Sequence, residues 1–171
     1  MLTKAAIEKY FLAEKQESLF FLIIGIAAIL LAVVFFFSWK TNFAKGATFP
    51  LLLIGLIEAA AGYVVYVRSD DQRINNVYAY DMNPGKLKNE ELPRMKTVNR
   101  NFLIYRWGEI FFVVAGLVLI VLYKNNSGKT FLLGLGITLA IQAALLFGAD
   151  FIAAKRAAIY TEQLENFANN K

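Results

Sequence analysis

The 171-residue sequence predicts an all-α fold, a polytopic membrane protein with four transmembrane helices in one bundle. Three observations carry that expectation. Hydrophobic residues make up 58% of the chain, against roughly 45–50% in ordinary soluble domains. They gather in four long runs that are almost free of charge. The basic residues concentrate between alternate runs.

Residues 19–39 carry no charge, and residues 49–67 are interrupted only by Glu58. Residues 110–123 are uncharged but short, and reach spanning length when extended back past Glu109 and Arg106 to position 104. Residues 130–149 are again uncharged. A bilayer core about 30 Å thick needs ~20 helical residues, so the spans fall at about 19–39, 49–67, 104–123 and 130–149. Four helices that are apolar all round exceed what a soluble domain of this length buries. The first run starts too late and runs too long for a cleavable leader, so it is expected to act as an uncleaved anchor.

Of the 18 lysines and arginines, fourteen lie in the amino-terminal segment, the 68–106 stretch and the tail after residue 149. The two short opposite loops hold Lys40, Lys45, Lys124 and Lys129. The positive-inside rule then places both termini in the cytoplasm, in a multi-pass protein of the cytoplasmic (inner) membrane. Trp39, Phe49 and Tyr123 mark the outer boundary, and Tyr66, Tyr105 and Trp107 the inner one, where amphipathic rings prefer to sit. The net charge of +5 follows from this bias and from contact with anionic headgroups. The expected partners are the lipid bilayer and either a second copy of the chain or another membrane protein, with no nucleic acid.

An internal repeat is expected within this single membrane domain. Residues 7–31 align with residues 98–122 without a gap: Phe11 with Phe102, Phe20 with Phe111, Gly25 with Gly116, Lys9 with Arg100 and Lys15 with Arg106. A shorter match sets Ile57-Glu58-Ala59-Ala60 against Ile141-Gln142-Ala143-Ala144. The expectation is a tandem duplication of a two-helix hairpin, repeat 1 at 3–82 and repeat 2 at 94–169, with a cytoplasmic connection at 68–101. Apolar residues keep helical spacing on either side of the spans, so the helices should extend into the cytoplasm. Asn83-Pro84-Gly85 is the strongest turn signal in the connection.

Chemistry is scarce. The chain has no cysteine and no histidine, which removes disulfides, thiolate nucleophiles, Cys or His metal sites and the commonest general base. No metal, cofactor or catalytic set is expected, and no phosphate loop is present: Ser127-Gly128-Lys129-Thr130 lacks the upstream glycine. Glu58 is the sharpest signal, because an ionised carboxylate in mid-span costs several kcal/mol. Its expected surroundings are Gln142, Tyr66 and Thr138, which would make an intramembrane polar site. Arg106 and Glu109, one turn apart, are expected to form an ion pair at the inner interface. Gly136, Ala140, Ala144 and Gly148 recur every fourth residue and predict a helix-packing seam. Together these features point to a non-enzymatic protein that acts through helix–helix or protein–protein association, as an accessory subunit, scaffold or toxin protector. The alternative is a small proton- or cation-coupled transporter or channel subunit using Glu58. A headgroup enzyme built on Asp70, Asp71, Glu109 or Asp150 is a weaker third, for want of a constellation.

Overall fold

Each helix start has a local cause. The Thr3 hydroxyl accepts from the Ala6 amide at 3.1 Å and opens α1 (Lys4–Val34), satisfying one of the amides that a helix start leaves unpaired. A wider π-type turn (Phe35–Trp39) continues it until Lys40 adopts a left-handed φ of 46° and ends the helix. Thr41 caps α2 (Asn42–Met82) in the same way as Thr3, through the Ala44 amide at 3.1 Å. Pro50 lies inside α2 and removes one ladder donor there.

Asn83 breaks the chain, and Pro84–Lys86 and Leu87–Glu91 wind straight into α3 (Leu92–Tyr123). A turn around Asn126 and the short Ser127–Lys129 element lead into α4 (Thr130–Asn169). These are the elements of a computed structural model whose described residues are 1–169. The 68–101 stretch is therefore helical on both sides of the break at Asn83, and the turn falls where Asn-Pro-Gly predicts it.

The four helices run up and down, so both termini share one pole and the two short turns the other. α1 packs along α2 and α3 along α4, while α2 against α4 joins the hairpins and leaves α1 and α3 outermost. All four helices are long and apolar enough to cross a membrane.

The core sits at the terminal pole. Leu2, Ile7, Phe11, Leu87, Met95 and Leu164 are fully buried there, together with Tyr10 and Tyr160. In the apolar half, only 11% to 33% of each hydrophobic window is buried. Side chains such as Phe36, Leu53 and Val121 point outward, and the helices touch through glycine and alanine.

Candidate functional site

The close contacts of the apolar half are made by backbone. A methyl group added at Gly46 would strike the Phe131 carbonyl, and one at Gly134 the Phe43 carbonyl. This reciprocal contact brings α2 and α4 together. Within the first hairpin, a Cβ on Gly25 would lie 2.5 Å from the Ala59 amide and 2.6 Å from the Gly55 carbonyl. Within the second, a Cβ on Gly116 would lie 2.7 Å from both the Ala140 amide and the Gly136 carbonyl. Glycine at these positions lets backbones meet.

The small-residue seam of α4 holds only for its first half. Gly136 and Ala140 face Gly116, but Ala144 is exposed and Gly148 has no neighbour within 4 Å of the methyl it lacks. The reason is geometric. A four-residue step overshoots a 3.6-residue turn, so the row drifts off the contact face. Ala143, Ala153 and Ala157 are buried in its place.

Glu58 is buried, with 6% of its surface exposed, and its Oε2 has no hydrogen-bond partner among the described residues. Gln142 is likewise buried at 8%, with its Oε1 unpartnered. Thr138 donates to its own helix, at the Gly134 carbonyl 2.9 Å away. Tyr66 lies under the Lys15 ammonium, 4.8 Å from ring centroid to Nζ. Among the described residues no hydrogen bond ties together the polar cluster expected around Glu58: Glu58 Oε2 and Gln142 Oε1 lack partners, and Thr138 and Tyr66 are engaged elsewhere. The glycine contacts also align Gly55 with Gly136 and Ala59 with Ala140. On that register Glu58 corresponds to Leu139 rather than to Gln142.

Arg106 and Glu109 do not form the expected ion pair. The Arg106 guanidinium stands over the Phe151 ring at 5.8 Å, and among the described residues no ion pair joins it to Glu109. The Glu109 carboxyl is only 8% exposed, and its Oε2 has no hydrogen-bond partner among the described residues. In the first hairpin, the residue that aligns with Arg106 is Lys15, and it forms an ion pair with Asp70. That hydrogen bond from Lys15 holds Asp70 below the usual carboxylate range.

The terminal pole carries a polar layer that composition and spacing alone did not single out. Arg94 grips Glu91 in a bidentate pair at 2.7 and 2.8 Å, and Glu91 is 95% buried. Arg156 pairs with Glu17 at 2.5 Å and Lys96 with Glu165 at 2.9 Å. Tyr10 and Tyr160 stack with ring centroids 4.2 Å apart, and burial pushes both hydroxyls well above the ordinary tyrosine range. A polar pocket of about 190 Å³ opens beside this layer, lined by Gln72, Asn75, Asn76, Lys86 and Arg94 among others. The only advance signal was helical spacing through charged sequence.

The architecture defines a class: an all-helical four-helix bundle with helices apolar enough to be transmembrane. Within that class, comparison with protein-family models, with curated proteins and with solved structures finds no match for this chain. No group of three or more acidic side chains that could hold a metal ion occurs among the described residues.

Proposed function

We propose that this chain is a multi-pass protein of the cytoplasmic membrane, with both termini inside, that works by associating with other membrane proteins rather than by catalysis. The basic bias toward the terminal pole and the outward-facing apolar half support the setting. The paired close contacts of Gly25 and Gly116, with the alignment of Lys15 and Arg106, support a duplicated hairpin.

One observation carries the mode of action. Past the charged exit of the second span, α2 still exposes Ile74, Tyr78 and Met82, at 59%, 64% and 70%. They succeed one another every fourth residue and so share a face. The last of them stands some 20 Å beyond Val67, at 1.5 Å per residue, where no acyl chain covers it. An apolar face in water marks an interaction surface.

Exchanging Ile74, Tyr78 and Met82 together for serine tests this. These side chains hold no core position, so the expected result is an unchanged melting temperature and loss of the native assembly, read as particle mass in nanodiscs. A wild-type chain that runs as a monomer in native membranes contradicts the proposal.

A second reading rests on the unpartnered Oε2 of buried Glu58, a carboxyl suited to bind a proton or cation in a conduction path. Reconstituted protein should then support a flux that Glu58→Gln abolishes at unchanged melting temperature. An unaltered flux, or none in the wild type, removes this reading.

A further inference from the structure

At the pole of the two short turns the apolar half is not closed. A groove of about 780 Å³ opens there, lined by Ala32 and Phe36 of α1, Phe49, Leu52 and Leu56 of α2 and Leu139 of α4 among others. That volume falls within the roughly 300–1,000 Å³ of sites that hold one small ligand. On α2 the lining runs from Thr48 to Ile57, about 14 Å at 1.5 Å per residue. This is close to half of a bilayer core about 30 Å thick, so the groove is as deep as one leaflet.

Its lining selects an apolar occupant. Thr48 is the only polar side chain among the lining residues, and its hydroxyl donates to the Ala44 carbonyl at 2.9 Å. The groove belongs to the first hairpin's side of the bundle. On the repeat alignment extended by one residue, Ala32 corresponds to Tyr123, so the second hairpin carries a large ring where the first leaves room.

The end of the groove nearest the turns is basic. No acidic residue occurs between positions 18 and 57 or between 110 and 149. Yet Lys40, Lys45, Lys124 and Lys129 all lie at this pole, exposed and without an ion-pair partner among the described residues. These charges run against the positive-inside bias, and no carboxylate of the chain answers them. Lys45 stands one turn before Phe49. Lys45, Phe49, Leu52 and Leu56 follow at three- and four-residue steps and share one face of α2, so a cation caps the apolar lining.

We propose that this groove holds an acyl chain of one anionic phospholipid from the leaflet on the side of the turns, with the phosphate at Lys45 and Lys40 on the adjoining turn. The proposal rests on the membrane reading above, which sets Lys45 at headgroup depth. The lipid supplies both things the chain lacks at this place: apolar surface to fill the groove and a negative charge to meet the lysines.

The test gives the full chain, purified in mild detergent, equal amounts of phosphatidylglycerol and phosphatidylcholine with the same acyl chains. Bound lipid is read by native mass spectrometry. Phosphatidylglycerol should be retained in clear preference to phosphatidylcholine. Lys45→Gln should lower its retention about fivefold, the share of one lysine at an anionic surface. Arg100→Gln, which removes a charge at the opposite pole, should leave retention unchanged. Leu52→Trp should displace the lipid with every lysine in place, and at unchanged melting temperature, because Leu52 is 41% exposed. Excess glycerol phosphate, the headgroup end without chains, should displace nothing.

Equal retention of the two lipids, or of neither, overturns the proposal and leaves the membrane reading standing. So does unchanged retention in Lys45→Gln or in Leu52→Trp, which would place the lipid outside the groove. A loss in Arg100→Gln equal to that in Lys45→Gln would mean attraction by net charge alone, and displacement by glycerol phosphate a site for free anions; either overturns the proposal. A chain recovered from cells in the soluble fraction overturns the membrane reading as well.

Discussion

Phe11 at the terminal pole and Phe36 in the apolar half are the same side chain on the same helix, yet Phe11 is 1% exposed and Phe36 is 51% exposed. Around Phe11, side chains from α1, α2, α3 and α4 and from the Leu87 turn close a core. That core is rimmed by ion pairs such as Arg94–Glu91 and Arg156–Glu17. Around Phe36 the large side chains face out, and the helices are joined where Gly46, Gly134, Gly25 and Gly116 bring backbones together. The pole is held by burial of large apolar side chains, the driving force of folding in water. The apolar half is held by close backbone approach, which works where the surroundings are as apolar as the protein. The contrast is what the proposed crossing of a helix bundle from water into lipid calls for.

The comparison can be broken most sharply with one substitution made in both halves. Phe11→Ala opens a cavity in a closed core and should cost about 3–5 kcal/mol, seen as a large drop in melting temperature in mild detergent. Phe36→Ala removes an outward side chain and should stay within about 0.5 kcal/mol. Similar losses at the two sites would mean that the apolar half has a side-chain core of its own.

The opposite substitution tests the apolar half. Gly46→Val drives a side chain into the Phe131 carbonyl, and overpacking of this kind costs about 1–3 kcal/mol. Gly148→Ala, with open space around it, should be neutral or stabilising by about 0.5–1 kcal/mol, as alanine is in a helix interior. The measurement is again melting temperature, and a damaging Gly148→Ala would restore the seam that the structure ends at Ala140.

A last effect is confined to the pole and to alkaline pH. Tyr10 and Tyr160 hold their protons more tightly folded than unfolded, because burial penalises the phenolate. Below the ordinary tyrosine pKa of about 10, both states are protonated and this contribution is fully present. Above it the unfolded chain ionises first, so stability falls by about 1.4 kcal/mol per pH unit for each tyrosine. Tyr10→Phe with Tyr160→Phe should flatten the decline in a pH series of melting curves, and an unchanged slope contradicts the assignment.

How far each half was legible in the sequence follows from the same contrast. The four apolar helices are contiguous, so uncharged runs and the Asn83-Pro84-Gly85 turn locate them directly. The helical extension through charged sequence was legible too, in the spacing of Ile7, Phe11 and Leu12. The polar layer of the pole was not, because Lys15 meets Asp70 and Glu17 meets Arg156 only once all the helices are in place. Arg106 standing over Phe151 instead of pairing with Glu109 is the same kind of event: a neighbour one turn away lost to one on another helix. Ala144 and Gly148 failed for a local reason, the drift of a four-residue step around the helix. Glu58 was singled out from the cost of a carboxylate in mid-span; the structure buries it and leaves its Oε2 without a hydrogen-bond partner among the described residues.

Cysteine accessibility tests the proposed membrane setting most directly, since the chain supplies no thiol of its own. Ser127→Cys, in the turn between α3 and α4, and Glu8→Cys, on the terminal extension of α1, are both at exposed positions. In intact cells a membrane-impermeant maleimide should label Ser127→Cys and should reach Glu8→Cys only after the membrane is opened. Labelling of both in intact cells, or of Glu8→Cys alone, would contradict four spans with both termini inside.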